Sequence, residues 1–139
     1  MPLYFAYGAN MDRAALAVRC PRSTPLGRAC LMRHRLTVMR EGWLSIARAP
    51  VARVHGVLWD LALADVAALD RFEAVGEGLY VKAVQPVLAE TGPRRALVYF
   101  GANAGPGRAR ADYLREVLAA ARAWELPREA IAALERLAR

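Results

Sequence analysis

The sequence contains few of the residues that bind metals or form disulfides, with two cysteines and two histidines among 139 residues. Cys20 and Cys30 do not form a CxxC pair and are too few for a disulfide framework, so we expect reduced thiols that are at least partly buried. His34 and His55 lie far apart, without cysteines or carboxylates at the spacing of metal ligands. The sequence therefore predicts no metal site.

Long hydrophobic runs are also absent, and no apolar segment is long enough for a transmembrane helix. The N-terminus lacks a basic region followed by an apolar segment, so we expect no membrane association and a cytoplasmic location. The hydrophobic content is nevertheless 56%, which is enough for a buried core and argues against disorder. The length favours a single domain spanning residues 1–139.

Lysine is almost missing from an otherwise basic chain. Lys82 is the single lysine among 20 basic residues, and the net charge is +7. A basic balance favours nucleic acids and other anions as partners. The arginines, however, are spread along the chain, without a basic tail or a basic block interleaved with aromatic residues. We therefore expect a solvated, arginine-rich surface and no nucleic-acid partner.

The most informative segment is the N-terminal one, where the apolar residues 3–7 are followed by Gly8, Ala9 and Asn10. The pattern predicts a buried strand, a tight turn, and a helix from Met11 to about Arg19, with Asn10 as a candidate N-cap. Such a turn exposes backbone N–H groups at the positive end of a helix dipole, where a carboxylate or phosphate can bind. An ordinary capped turn is the alternative interpretation.

Short strand-like and helix-like patterns follow along the rest of the chain, without strict β–α alternation. Residues 54–61 are the clearest strand, and Gly56 within them predicts a bulge or a close backbone approach. Pro21 and Pro25 are expected to break the chain, and a strand at 44–47 to end near Pro50. Further predicted strands lie at 26–40, 79–88 and 96–100, and helices at 64–73, 110–125 and 127–137. This mixture predicts an α+β fold with a mixed or antiparallel sheet, which can close into a barrel.

Two carboxylates, Asp70 and Glu73, lie on one face at the end of the predicted helix 64–73, next to the glycine-rich break at 76–78. A carboxylate that is partly desolvated there has a raised pKa and is a better base. The alternative is a solvated helix end in which either carboxylate pairs with Arg71 or another arginine. Tyr113 likewise can offer its phenol to a ligand, or pack on the core with its hydroxyl in water.

In combination, these segments resemble the γ-glutamylcyclotransferase-like family, which includes γ-glutamylcyclotransferase, γ-glutamylamine cyclotransferase and AIG2-like proteins. The family's opening motif Tyr-Gly-Ser-Asn-Leu appears here at residues 7–11, and its Leu-Asp-x-x-Glu-Gly-Val motif at residues 69–75. Other matching segments follow in the family's order and comprise Arg19-Cys20-Pro21, Gly56-Val57-Leu58-Trp59 and Tyr80. The C-terminal Gly-Leu-Pro-x-x-Tyr segment is degraded at residues 125–130. The resemblance covers nearly the whole chain.

The resemblance implies both a fold and a reaction. The fold is the small cyclotransferase barrel, a closed or nearly closed mixed β-barrel with flanking helices, in a monomer or homodimer. The reaction is an intramolecular aminolysis, in which the α-amine of a γ-glutamyl group attacks its own γ-carbonyl and releases 5-oxoproline and a free amine or amino acid. A small-molecule γ-glutamyl substrate is implied, and neither a metal nor an organic cofactor.

The resemblance also implies roles for individual residues. Glu73 would be the catalytic base, and the backbone N–H groups of residues 7–10 would hold the α-carboxylate or polarise the γ-carbonyl. The implied substrate-binding residues are Tyr7, Gly8, Ala9, Asn10, Met11, Tyr80 and Tyr113.

This chain departs from the family's motifs at two positions, with Ala9 in place of a serine and Ala74 in place of a glycine. The first change removes a hydroxyl, and the second restricts the backbone next to Glu73. Both leave the base in place, so we expect a competent enzyme. The alternative is a non-catalytic module of the same fold that binds small carboxylates.

Overall fold

The computed structural model describes residues 2–138 and contains a five-stranded β-barrel flanked by helices. The strands are β1 (Leu3–Ala6), β2 (Thr24–Val38), β3 (Leu44–Asp60), β4 (Tyr80–Ala89) and β5 (Gly92–Gly101). The α-helices are α1 (Arg13–Arg19), α2 (Val66–Phe72), α3 (Ala111–Ala123) and α4 (Arg128–Arg136). Short 3-10 turns occupy Ala9–Met11, Leu63–Asp65 and Val75–Glu77.

The barrel closes in the order β1-β3-β2-β4-β5, with β5 returning to β1. The β1–β5 pairing is parallel and the other pairings are antiparallel, so the sheet is mixed. The predicted α+β barrel with flanking helices is therefore confirmed. Strand β1 contributes to the hydrophobic core, in which Phe5, Val57 and Val98 are fully buried. None of the helices in the described part of the chain is long and apolar enough to cross a bilayer.

Strand β1 lies unusually close to β3, and a glycine makes this possible. A Cβ placed on Gly56 would lie 2.2 Å from the carbonyl oxygen of Ala6 and 2.9 Å from the nearest atom of the Phe5 ring. The close backbone approach predicted at Gly56 is confirmed. Through it, the end of β1 is fixed against the sheet, and the turn that follows β1 has a defined position.

The prediction that residues 44–47 and 54–61 form separate strands is wrong. Strand β3 runs without a break from Leu44 to Asp60, because the register with β2 shifts between Met32 and His34. Residues 49–52 of β3 consequently lie opposite Arg33 alone, in a bulge that leaves Pro50 outside the regular ladder, where its missing N–H costs nothing. Pro25 is similarly tolerated at the start of β2, next to the register shift that follows it.

The predicted start of the first helix is also wrong. Residues 9–11 form a 3-10 turn, and α1 begins at Arg13. Asp12, rather than Asn10, is the N-cap, because its backbone is extended and its side chain accepts a hydrogen bond from the Ala15 N–H at 2.9 Å. Asn10 is therefore free to direct its side chain inward, and it is only 2% exposed.

Candidate functional site

The turn after β1 forms one wall of a cavity that has a volume of about 640 Å³. Its own hydrogen bonds run from the N–H of Met11 to the Gly8 carbonyl (3.1 Å) and from the N–H of Asp12 to the Ala9 carbonyl (3.2 Å). These two bonds do not use the amides of Gly8, Ala9 and Asn10, which belong to residues that line the cavity. A cavity of this size accommodates a small-molecule ligand.

Glu73 lies beside this turn in the cavity wall, directly after the last residue of α2. Its N–H donates to the Leu69 carbonyl at 3.0 Å, which makes it the last residue held by the helix. Ala74 then adopts the left-handed conformation (φ 52°, ψ 43°) and reverses the chain. This reversal leaves the Glu73 side chain on the cavity wall, where the carboxylate accepts a hydrogen bond from the Asn10 Nδ2 at 3.4 Å.

The carboxyl group of Glu73 stays protonated to a higher pH than that of an exposed glutamate. Burial raises its pKa to about 7, because the charged form loses contact with water, and the nearby Arg19 guanidinium opposes this effect only in part. A carboxylate with a pKa near neutrality can both accept and return a proton under physiological conditions.

The structure thus brings the turn after β1 and Glu73 together, although more than sixty positions separate them in the sequence. Of the predicted site residues, Glu73, Tyr7, Gly8, Ala9, Asn10, Tyr80 and Tyr113 all line the cavity. Met11 does not line it. Its side chain is fully buried in the core, and its carbonyl accepts a hydrogen bond from the Trp124 Nε1 at 2.7 Å. Met11 therefore anchors the turn to the core and does not contribute to the cavity lining.

Tyrosines dominate the rest of the wall. All five tyrosines of the chain line the cavity, namely Tyr4, Tyr7, Tyr80, Tyr99 and Tyr113. Burial is the largest cause that raises the pKa of each phenol above its ordinary value, so all five are neutral at physiological pH.

Hydrogen bonds fix the phenols in place. The Tyr7 hydroxyl donates to the Tyr99 carbonyl and the Tyr80 hydroxyl donates to the Leu44 carbonyl, both at 2.5 Å. The Tyr113 hydroxyl accepts from the Leu44 N–H at 3.3 Å and lies where a Cβ on Gly8 would be 2.9 Å away. Gly8 therefore leaves room for this hydroxyl beside the turn.

Asp70, the second carboxylate considered from the sequence, has a different position and different partners. It accepts hydrogen bonds from the Lys82 Nζ at 2.7 Å and from the Tyr99 hydroxyl at 2.5 Å. Burial alone would raise its pKa, but these two donors outweigh burial and lower the pKa below its usual value. Asp70 pairs with the single lysine rather than with an arginine, and it anchors Tyr99 instead of lining the cavity.

The mouth of the cavity contains charged and aromatic residues that the sequence did not single out. The Arg110 guanidinium lies 4.5 Å from the centre of the Trp43 ring, and its Nε donates to the Glu41 carbonyl at 2.9 Å. Trp43 in turn packs edge-to-face on Tyr113, with ring centres 5.0 Å apart. Arg110 precedes the first residue of α3, so this end of the helix borders the opening.

Metal-binding geometry is not found in residues 2–138, where no group of three or more His, Cys, Asp or Glu side chains is arranged to hold an ion. Cys20 and Cys30 are free and buried, as predicted, and burial raises the pKa of the Cys20 thiol to about 11. The cavity instead contains five neutral tyrosines and one largely buried carboxyl group, that of Glu73, whose pKa is raised to about 7.

A sequence model of the family described as gamma-glutamyl cyclotransferase, AIG2-like, matches residues 4–126. The chain belongs to this family. The match begins in β1 and ends after α3, so it includes the turn at residues 7–11, Glu73 and the other residues that line the cavity.

Solved structures with the same fold include one described as a gamma-glutamyl cyclotransferase, with a TM-score of 0.89 and 24% identity over 96% of this chain and 86% of that chain. An uncharacterized protein from Homo sapiens gives a TM-score of 0.88 and 25% identity, over 96% of this chain and 85% of that one. YkqA from Bacillus subtilis gives 0.84 and 24%, over 99% of this chain and 54% of that one. No curated protein sequence matches the chain.

The two departures from the family's motifs have distinct structural settings. Ala9 lies in the 3-10 turn, where its backbone faces the cavity regardless of its side chain. Ala74 has a left-handed backbone conformation (φ 52°), which glycine adopts without strain and alanine does not. The replacement at Ala9 thus removes only a side-chain hydroxyl from the cavity lining. The replacement at Ala74 puts a strained residue directly after Glu73.

Proposed function

We propose that this protein is a γ-glutamylcyclotransferase that converts a γ-glutamyl amine or peptide to 5-oxoproline and a free amine or amino acid. One observation carries the proposal: a carboxyl group with a pKa of about 7, that of Glu73, shares a cavity with the backbone amides of residues 8–10. Membership of the family supports the same reaction class.

In the proposed mechanism, amides of the turn at residues 8–10 bind the α-carboxylate or the γ-carbonyl oxygen of the glutamyl group. The deprotonated Glu73 takes a proton from the substrate's α-ammonium, and the freed amine attacks the γ-carbonyl. The new C–N bond closes the five-membered ring, and the bond to the leaving nitrogen breaks as Glu73 returns the proton to it. The ring nitrogen gives up its second proton, which the released amine takes up to leave as an ammonium. Holding one folded conformer of the substrate supplies much of the rate, because nucleophile and electrophile belong to one molecule.

The tyrosines support this chemistry by limiting the access of water to the reacting centre. All five phenols are neutral near pH 7, and those of Tyr7, Tyr80 and Tyr99 donate their protons to protein acceptors. These phenols are therefore held in place around Glu73, and the other charged side chains of the lining are Arg19 and the exposed Arg110, Asp112 and Glu116. Preorganised donors in such surroundings contribute more to catalysis than they would in water.

The test is a product assay on wild-type protein and Glu73→Gln, with a panel of γ-glutamyl amino acids, γ-glutamyl amines and glutathione. We expect 5-oxoproline from at least one wild-type reaction and a decrease of about 10²–10⁴-fold in Glu73→Gln, the range for loss of a general base. The matched control is Glu77→Gln, which changes an exposed glutamate outside the cavity lining and should keep full activity.

The alternative function is a carboxylate-binding module without turnover, and the replacements at Ala9 and Ala74 are the observations that favour it. Isothermal titration with the same panel distinguishes the two functions. Binding of γ-glutamyl compounds without release of 5-oxoproline would support the binding module and contradict the enzyme. Equal turnover by wild-type protein and Glu73→Gln would remove Glu73 from the mechanism.

A further inference from the structure

Arg19, the last residue of α1, reaches the cavity wall and is held there by two contacts. Its NH1 donates to the Asn10 Oδ1 at 2.5 Å, and the guanidinium carbon lies 3.7 Å from the centre of the Phe72 ring. Phe72 directly precedes Glu73 in the chain. The guanidinium is thus fixed between the turn that follows β1 and the end of α2.

The contact with Arg19 determines how the Asn10 carboxamide is oriented. An arginine can only donate hydrogen bonds, so the carboxamide must present its oxygen to Arg19. Its nitrogen then faces the other way, where it donates to the Tyr4 hydroxyl at 3.1 Å and to the Glu73 Oε1 at 3.4 Å. Because Asn10 is only 2% exposed, water does not compete for these bonds.

We propose that Arg19 is a positioning residue for Glu73, which orients the carboxylate through the Asn10 carboxamide and stabilises its charged form. The inference rests on the proposed function for its catalytic consequence, but the structural relation stands without it. Asn10 was expected to bind substrate through the turn; here its side chain links the partly buried Arg19 guanidinium to the carboxylate that takes the proton.

The surroundings of Glu73 make Arg19 the cation that opposes burial. The other titratable groups facing Glu73 come from β1, the turn, β4, β5 and α3, and all are phenols whose pKa its negative charge raises: Tyr4, Tyr7, Tyr80, Tyr99 and Tyr113. On its own helix, Asp70 is bound to Lys82 and Tyr99. At the cavity mouth, Arg110, Asp112 and Glu116 also line the wall, with Arg110 stacked on Trp43. Of the causes that act on the pKa of Glu73, Arg19 is the one that lowers it.

The test compares Arg19→Met and Arg19→Lys with the wild-type protein, by measuring kcat/KM for 5-oxoproline formation as a function of pH. This profile reports the pKa of the essential base in the free enzyme. We expect the acid limb of Arg19→Met to move upward by about one pH unit or more, since loss of a nearby opposite charge shifts a carboxyl pKa by about that amount. Arg19→Lys keeps a charge and should bring the limb back toward the wild-type position.

The chain offers a closely matched control in Arg13→Met. Arg13 lies on the same helix and its guanidinium also stacks on an aromatic ring, 4.1 Å from the centre of the Trp124 ring, but it does not line the cavity. We expect its pH profile to coincide with that of the wild-type protein. A role of Arg19 in stability alone would lower the melting temperature without moving the limb. If Arg19→Met does not fold, Arg19→Gln provides the same comparison.

A second measurement separates this inference from the proposed function. NMR titration of ¹³C-labelled glutamate carboxyls, with the Glu73 signal assigned from its absence in Glu73→Gln, measures the same pKa without turnover. A higher midpoint in Arg19→Met, together with a wild-type protein that releases no 5-oxoproline, would refute the function and support the control of Glu73 by Arg19. Identical midpoints in wild-type protein and Arg19→Met would overturn the inference, whether or not the enzyme is active.

Discussion

Ala74 shows how a single residue position connects local strain with the site. Its left-handed conformation (φ 52°) directs the chain from α2 into the 3-10 turn at Val75–Glu77, and its carbonyl accepts hydrogen bonds from the N–H groups of Glu77 and Leu79. A Cβ in this conformation contacts the neighbouring carbonyl, which costs about 1–2 kcal/mol. The strain falls on the residue that follows Glu73.

We therefore expect Ala74→Gly to stabilise the protein by about 0.5–1 kcal/mol, because glycine adopts this conformation freely and the gain exceeds its entropic cost in the unfolded chain. The measurement is the free energy of unfolding in urea. Ala67→Gly, the same substitution at an exposed position inside α2, should instead destabilise by about 1 kcal/mol. A loss of stability in both variants would contradict the assignment of strain to Ala74.

At the scale of elements, the site depends on the contact between the turn after β1 and helix α3. Gly8 and the Tyr113 hydroxyl meet there, with 2.9 Å between that hydroxyl and the position of a Cβ on Gly8. The same hydroxyl accepts the hydrogen bond from the Leu44 N–H, at the start of β3. One phenol thus joins three elements around the cavity.

Gly8→Ala should displace the Tyr113 hydroxyl and destabilise the protein by about 1–3 kcal/mol, as other overpacked sites do. Tyr113→Phe removes the atom that the new methyl group meets, so the double variant should be more stable than the sum of the single effects predicts. A double-mutant cycle in urea measures this coupling, which for contacting residues is about 0.5–3 kcal/mol. The control pair, Gly8→Ala with Tyr99→Phe, should be additive, because the Tyr99 hydroxyl binds Asp70 and shares no partner with Tyr113. Additivity in the Tyr113 pair would refute the contact.

Elements were predictable from the sequence where local patterns dominate. The buried strand before Gly8 and the close approach at Gly56 follow from residue type. Periodicity also placed helices at 64–73 and 110–125, which the structure has at Val66–Phe72 and Ala111–Ala123. The continuity of β3 through Pro50 could not be predicted, because it depends on a register shift against β2 that no local pattern reveals. The N-cap at Asp12 was missed because Asn10 has the same capping propensity and its burial depends on Arg19 and Tyr4.

The candidate site was predictable only as far as its motifs. Glu73 and the turn at residues 7–10 belong to segments that resemble a known family, whereas Tyr4, Tyr99 and Arg110 enter the cavity through barrel closure and helix packing. Arg19 also belongs to a family-like segment, but its pattern gave it no role in the site. The available signal for Tyr4 was a tyrosine inside a buried strand, because a buried phenol needs a hydrogen-bond partner. The single domain, the cytoplasmic location, the oligomeric state and the substrate stay predictions.

For the whole molecule, the raised pKa of Glu73 links stability to pH. Its pKa is about 7 in the folded protein and 4.5 as the ordinary value, so between these pH values the folded state binds more protons than the unfolded state. The contribution of Glu73 to the free energy of unfolding is therefore fully present below pH 4.5 and is lost as the pH rises to about 7. Asp70 acts in the opposite sense at lower pH, since its pKa is lowered by folding.

Glu73→Gln should remove this loss, because a glutamine side chain stays neutral at every pH. Relative to the wild-type protein, the variant should gain up to about 3 kcal/mol between pH 4.5 and 8, which is the shift in pKa converted at 1.36 kcal/mol per unit. Urea unfolding at a series of pH values measures the difference. A gap between the two proteins that does not vary with pH would show that Glu73 titrates normally.

The placement of the tyrosines makes the cavity visible to spectroscopy without any engineered probe. The sequence contains five tyrosines, and every one of them lies in this wall, on four different strands and helices and one turn. Isotopic labelling of that one amino acid therefore labels the chamber from all sides and leaves the rest of the barrel silent. Each ring is held by its own neighbours, so a bound molecule can be located by which of the five resonances it perturbs.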